Sequence, residues 1–357
     1  MENRKYVGMD VHQASISVAV RDETGKLIIE SVLETKASTI LEFLHGLRGS
    51  LWVTFEEGTS AAWLYDLLKP HVARVIVCDP RKNALLNAGN KNDRVDARKL
   101  SHLLRAELLT PVYHGESGVR ALRELARSYL TINKDLTRVM NRLKALYRSW
   151  AIPCAGQKVY SPRHRSAWLE KLPDGGVRRR AEQLYQQLDI LVQIRRQARK
   201  ELVTESRKHS VEPLLRQIPR LGPIRVALLI ALLQTPHRFR TKRQLWAYCG
   251  LALQTRSSGE YRFTGGQREP TKKAPALRGL NVNHNHDLKN LLKSAATHAS
   301  TSTDALGEFY RNLLAKGMKP AMARLTLARK IASIVLTIWK KGARFDPGQL
   351  KPQQVRA

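Results

Sequence analysis

Four carboxylates stand where strand ends and a helix start can bring them onto one cation. Asp10 follows the run Tyr6-Val7-Gly8-Met9, Glu56 closes the apolar run from Leu51, and Asp93 and Asp96 lie in the stretch Asp93-Arg94-Val95-Asp96-Ala97-Arg98-Lys99-Leu100. Side chains at i and i+3 share one face of a helix, so Asp93 and Asp96 present their carboxylates together. Magnesium prefers oxygen ligands and keeps several waters, so a few carboxylates plus a substrate phosphate complete its sphere. Two ions held this way activate an attacking oxygen and stabilise a leaving one during displacement at phosphorus. Two alternatives stay open. Glu57 competes with Glu56, because strand alternation sends these neighbours to opposite faces, and Asp93 has the rival role of capping its helix.

The charge of the chain names the partner that such a site would face. With 62 Lys+Arg against 30 Asp+Glu, the 357 residues carry a formal charge of +32. That is far more than solubility requires and implies a polyanion, with nucleic acid first among candidates. The charge is uneven: residues 1–110 hold 15 basic and 14 acidic residues, and the remainder 47 and 16. Acids therefore gather where chemistry is expected, and bases where grip on phosphate is expected. Cys78, Cys154 and Cys249 are widely separated and lack the paired spacing of a zinc site or disulfide framework, which fits a reducing cytoplasm. The N-terminus has no apolar signal region and no segment reaches 18 uninterrupted apolar residues, so no membrane partner is expected. Ile331 to Trp339 is an apolar helical run.

The elements that must position these groups read as an α/β region followed by long helices. Tyr6 to Val11, Ser15 to Arg21 and Leu27 to Leu33 form an antiparallel meander, with a turn at Asp22-Glu23-Thr24-Gly25. Ser38 caps a helix to about Arg48, Leu51 to Glu56 returns to strand, Ala61 to Leu68 is helical, and Arg74 to Cys78 is a further strand. In such a pattern, sites gather at strand ends and helix starts. Val119 to about Trp150 and Val177 to about Glu205 are long amphipathic helices whose stripes, including Leu136, Val139, Leu143, Leu184 and Leu188, pack on each other as a coiled-coil protrusion or a dimer contact. Ile152 to Gly176 between them reads as a loop.

Four later segments carry weaker signals. Ile218-Pro219-Arg220-Leu221-Gly222-Pro223-Ile224, ahead of the helix Arg225 to Leu233, resembles a helix-hairpin-helix turn whose backbone N–H groups approach phosphate. Thr255-Arg256-Ser257-Ser258-Gly259-Glu260 offers serine hydroxyls, which need a base, metal or cation before they attack; by composition alone it is a turn. Asn283-His284-Asn285-His286-Asp287 reads as a helix start capped by Asp287 rather than a metal site. Trp246, Tyr248 and Tyr261 sit among Arg and Lys, in reach of bases or in a core.

Taken in order, these motifs resemble one family. Tyr-Val-Gly-Met-Asp10-Val-His, Phe-Glu56-Glu-Gly, Lys-Asn-Asp93-Arg-Val-Asp96-Ala-Arg-Lys-Leu, Ile-Pro-Arg-Leu-Gly-Pro-Ile and Ser257-Ser258-Gly259 are similar to the DEDD transposases of bacterial insertion sequences, recombinases guided by a structured noncoding bridge RNA. The resemblance runs from about residue 5 to 340. It implies a RuvC-like, RNase H-type domain over residues 1–118, a long-helix coiled-coil segment over 119–210, a mainly helical C-terminal transposase domain over 211–345, and a tail over 346–357. It further implies magnesium on Asp10, Glu56, Asp93 and Asp96, with Ser258 attacking the scissile phosphodiester to leave a serine–DNA linkage. Ser257 remains a rival for Ser258. Target DNA, donor DNA, guide RNA and a homo-oligomer, dimer or tetramer, are the implied partners. The alternative is a RuvC-like nuclease or junction resolvase that uses water. After the serine the chain departs from the family: Thr271-Lys272-Lys273 is separated from Asn285-His286-Asp287-Leu288-Lys289 by an apparent insertion.

Overall fold

A computed structural model describes residues 3–80, 92–114, 117–256, 261–265, 267–270 and 276–350. The chain divides into two compact units, Met1–Gly115 and Glu116–Ala357. The long helices belong to the second unit.

The first unit is a five-stranded mixed sheet. Strands β1 (Arg4–Val11), β2 (Ser15–Arg21) and β3 (Leu27–Glu34) form the meander; helix α1 (Ala37–His45) leads to β4 (Ser50–Glu56), and α2 (Ala61–Leu68) to β5 (Arg74–Cys78). The order across the sheet is β3-β2-β1-β4-β5. The β1–β2 and β2–β3 pairs are antiparallel, whereas β1–β4 and β4–β5 are parallel, joined by helical crossovers. Burial follows position: β1 and β2 are largely buried, while edge strand β3 alternates between partly covered and exposed residues. This sheet with its helices is consistent with a RuvC-like fold.

Alternation on β1 decides what each face packs against. Val7 and Met9 join Val53, Phe55, Ile40, Leu44 and Leu64 in one core. Gly8 points the other way, towards α3 (Asp93–Arg105). A Cβ at Gly8 would lie 2.3 Å from the Ala97 carbonyl oxygen and 2.4 Å from the Ser101 nitrogen, so only glycine admits the helix this closely. Leu100 and Leu103 complete that side with Cys78, and Arg98 clamps Glu30 of β3 at 2.5 and 2.6 Å. Asp10, two residues after Gly8, thus lies on the side of the sheet that carries α3.

One detail differs from the sequence expectation: α1 begins at Ala37 with Lys36 in the capping position and no side-chain cap, so Ser38 lies inside the first turn. The buried pair Ile40 and Leu44 holds this helix down.

In the second unit, α4 (Arg120–Ser149) and α6 (Gly176–Ser206), with the short α5 (Arg165–Leu169) between them, form an antiparallel hairpin. Leu136, Val139, Leu143 and Tyr147 meet Ala181, Leu184, Tyr185 and Leu188. The Tyr147 and Tyr185 hydroxyls lie 3.2 Å apart, and Tyr185 donates to the Val159 carbonyl at 2.9 Å, which satisfies both buried groups. At the other end of the hairpin, Leu122, Ala126 and Leu202 enter a larger helical core.

That core is built by α7 (Glu212–Arg216), α8 (Pro223–Leu233), α9 (Lys242–Tyr248), α10 (His286–Ser300), α11 (Ala305–Ala315) and α12 (Pro320–Lys341). Between α9 and α10, β6 (Leu253–Arg256) pairs antiparallel with β9 (Ala276–Leu280), and β7 (Tyr261–Thr264) pairs with β8 (Gln267–Pro270). The sequence expectation assigned no strands here. No helix among the described residues is long and apolar enough to cross a membrane.

Candidate metal centre

Two segments of the first unit converge at the end of β1, the strand with the residue that follows it and the start of α3. His12 follows the strand and is fixed at both backbone groups: its N–H donates to the Ser15 carbonyl at 2.9 Å, and its carbonyl accepts from the Thr35 hydroxyl at 3.0 Å. On α3, the Asn92 side chain accepts from the Arg94 N–H at 3.2 Å. Asn92 is therefore the cap, and Asp93 is the first helical residue, free of the capping role that the sequence left open. Both Asp93 and Asp96 lie in the first turn, where the helix dipole favours negative charge.

The convergence is close. His12 Nε2 lies 3.1 Å from Asp10 Oδ2 and 3.5 Å from Asp93 Oδ2. One donor atom from each of Asp10, His12 and Asp93 falls within 4.8 Å of the others. Burial raises the Asp10 carboxyl above the usual carboxylate range; His12 opposes this, and the negative charges of Asp93 and Asp96 add to it. Desolvation is the largest cause, and repulsion from the two other acids adds to it, an arrangement that a divalent cation would relieve. Hard oxygen donors around a half-buried carboxylate suit magnesium or manganese.

The remaining sequence candidates take distinct places. Asp96 contacts Lys99 Nζ at 3.5 Å while its charge reaches Asp10. Glu56 ends β4 one step beyond the Met9–Phe55 pair, beside Asp10, and with Val11 and His12 it lines a cavity of about 470 Å³. It is not one of the three converging residues. Glu57 is committed elsewhere: its N–H donates to the Cys78 carbonyl at 2.9 Å, and its carboxylate meets His114 Nε2 at 2.6 Å. His114 in turn stacks on Tyr65. Sequence reasoning missed His12, although the Asp10-Val11-His12 spacing carried the signal, since residues two apart share a strand face.

In the second unit, Ser257 and Ser258 fall outside the described residues, as do Thr271, Lys272 and Lys273. Asn285, not Asp287, caps α10, accepting from the Leu288 N–H at 3.0 Å, while Asp287 pairs with Lys134 at 3.4 Å. Trp246 donates to the Arg329 carbonyl at 3.0 Å, and Tyr248 packs against Phe239 and Arg238. At the start of α8, Arg225 donates to the Arg220 carbonyl and to the Ser294 hydroxyl, both at 2.9 Å, so it braces the turn from within.

Comparison with known proteins matches both halves of the chain. Residues 7–150 match a DEDD family model of the IS110 type described as "Transposase", and residues 212–311 match "Transposase IS116/IS110/IS902 family". A curated relative, the "Transposase for insertion sequence element IS1533" of Leptospira borgpetersenii, is 30% identical over 183 residues, which are 48% of this chain and 51% of that protein. The chain thus spans about half the length of the curated relative it matches.

Proposed function

The chain belongs to the IS110 family of transposases, and from that premise we propose that it is an RNA-guided DNA recombinase of an insertion sequence, cutting and exchanging strands through a serine–DNA intermediate. The observation that carries the reading is the convergence of Asp10 with Asp93, residues more than eighty positions apart, at the end of β1.

Asp10, Glu56, Asp93 and Asp96 would hold magnesium. The bound cation supplies Lewis acidity at the scissile phosphate and neutralises its developing charge. In this reading the chain's own residues do the rest. Gly8 lets α3 approach β1, which sets Asp93 and Asp96 near Asp10, and Asn92 fixes the start of that helix. Ser258 Oγ attacks phosphorus and forms a phosphate ester as the bond from phosphorus to a deoxyribose oxygen breaks, and the proton lost by the serine ends on that oxygen, which departs as a hydroxyl. One ester replaces another, so the exchange can be reversed to reseal strands without an external energy source.

The cationic residues 111–357 support a polyanionic partner, because each neutralised phosphate releases counterions on binding. Charge on this scale suits a folded RNA together with two DNA duplexes held by backbone contacts, with base pairing left to choose the sequence. A homo-oligomer assembled on the RNA belongs to the same reading.

Trapping with end-labelled DNA tests it. The wild-type chain should form an adduct that survives denaturation, and Ser258→Ala should not. An adduct that persists in Ser258→Ala sinks the assignment, and loss in Ser257→Ala alone moves the nucleophile to its neighbour. Cleavage by the wild type without any adduct would identify a nuclease that uses water.

A further inference from the structure

The magnesium set proposed above consists of carboxylates, yet an imidazole nitrogen contacts two of them. His12 Nε2 reaches Asp10 Oδ2 at 3.1 Å and Asp93 Oδ2 at 3.5 Å. Among the described residues, these two carboxylates are the hydrogen-bond and ion-pair partners of the His12 ring. We propose that His12 is a nitrogen ligand of the divalent cation held there, and that it tilts the site towards a transition-series ion such as manganese over magnesium. The inference rests on the metal-centre reading above and deepens it.

The geometry is that of neighbouring ligands. Around an octahedral ion with bonds of about 2.1 Å, adjacent donor atoms are about 3.0 Å apart. The two separations from His12 Nε2 are close to that edge. They also require little movement of the chain, since the His12 backbone is tied to Ser15 on one side and Thr35 on the other. A rigid backbone with the ring already among the acids is pre-organised for coordination. The ring is also solvent-accessible, with 51% of its side chain exposed, so an ion and its waters have an approach.

The chemistry sets the preference. Carboxylate oxygen serves magnesium and manganese about equally, whereas imidazole favours ions of the first transition series. Adding one nitrogen to an oxygen set therefore raises affinity for manganese more than for magnesium. The contrasting role for His12 is a counter-ion only, which neutralises the acids until metal displaces it. These two roles predict opposite effects of removing the ring: a ligand's loss weakens manganese binding, and a competitor's loss tightens it.

The experiment is manganese binding to the full-length protein followed by electron paramagnetic resonance, with pulsed detection of coupling to ¹⁴N, and magnesium measured by competition. Expected is a nitrogen coupling in the wild type that disappears in His12→Ala and in His12→Gln. His12→Ala should also lose about tenfold or more in manganese affinity and less than about threefold in magnesium affinity. Absence of nitrogen coupling in the wild type overturns the proposal, as does manganese affinity that is unchanged or tighter in His12→Ala. Because the coupling is read first on the unmutated protein, a variant that fails to fold does not blunt the test. Asp10→Asn separates the two ideas. If it abolishes manganese binding while the wild type shows no nitrogen coupling, His12 alone is excluded; if it leaves binding intact, the metal centre itself is wrong.

Discussion

The two halves of this chain solve opposite electrostatic problems. Residues 1–110 are almost neutral, with 15 basic and 14 acidic residues, yet Asp10 and Asp93 are drawn together with His12 near the end of one strand. Residues 111–357 carry 47 basic against 16 acidic residues on a helical scaffold whose hairpin and larger core are apolar. In the first half the unbalanced charge is local and negative, an arrangement suited to a small cation. In the second it is spread and positive, an arrangement suited to an extended polyanion. A nucleic-acid enzyme needs both, because phosphate must be gripped by bases but activated at one point.

If that division holds, the halves should fail separately. The largest effect is expected from Asp10→Ala or Asp96→Ala. Strand cleavage should fall by about 10³-fold, while nucleic-acid affinity stays within several-fold, as read by a cleavage assay beside a binding assay. Joint loss of both would erase the distinction. Next is salt: binding of nucleic acid by the whole chain should weaken on the order of 10³-fold between about 50 and 200 mM salt, with the same slope in Asp10→Ala.

Smaller changes sharpen the contrast through packing. Leu143→Ala removes a fully buried side chain from the hairpin and should cost about 2–5 kcal/mol in urea unfolding, with manganese affinity unchanged. Gly8→Ala should cost about 1–3 kcal/mol by overpacking and also weaken manganese binding, because the added carbon meets the backbone of α3 and displaces Asp93 from Asp10. Stability loss in both, with metal affinity lost only in Gly8→Ala, is the pattern expected.

Much of the first unit was legible in residue order. Alternating β-branched residues marked β1, β2 and β4, and the i, i+3 spacing of Asp93 and Asp96 put them on one helix face. Gly8 carried a less obvious message: a glycine inside a buried strand marks a close approach, here by α3. Caps were harder to read. Asn285 and Asp287 are both capping types, and only the backbone path decides that Asn285 bonds Leu288. Ser38 offered a hydroxyl, but α1 starts before it. Strands β6 to β9 were missed because Gly, Pro, Lys and Arg interrupt any alternation, and β6 finds its partner β9 some twenty residues away.

The choice between Glu56 and Glu57 shows the limit most clearly. Parity said that only one faces the acids, but not which. Placing Glu57 against His114 and the Cys78 carbonyl required residues far away in sequence. His12 was visible as a spacing, but its meaning depended on α3 arriving at the same strand end.

A metal ion held by Asp10 and Asp93 can be made to report its own position. With iron(II) added to the protein together with ascorbate and peroxide, hydroxyl radicals cut the polypeptide nearest a bound metal, and mass spectrometry locates the cuts. Cuts clustered at Asp10 to His12, at Glu56 and at Asp93 to Asp96, and lost in Asp10→Asn, are expected. Cuts elsewhere, or cuts at these segments that persist in Asp10→Asn, would contradict this placement of the ion.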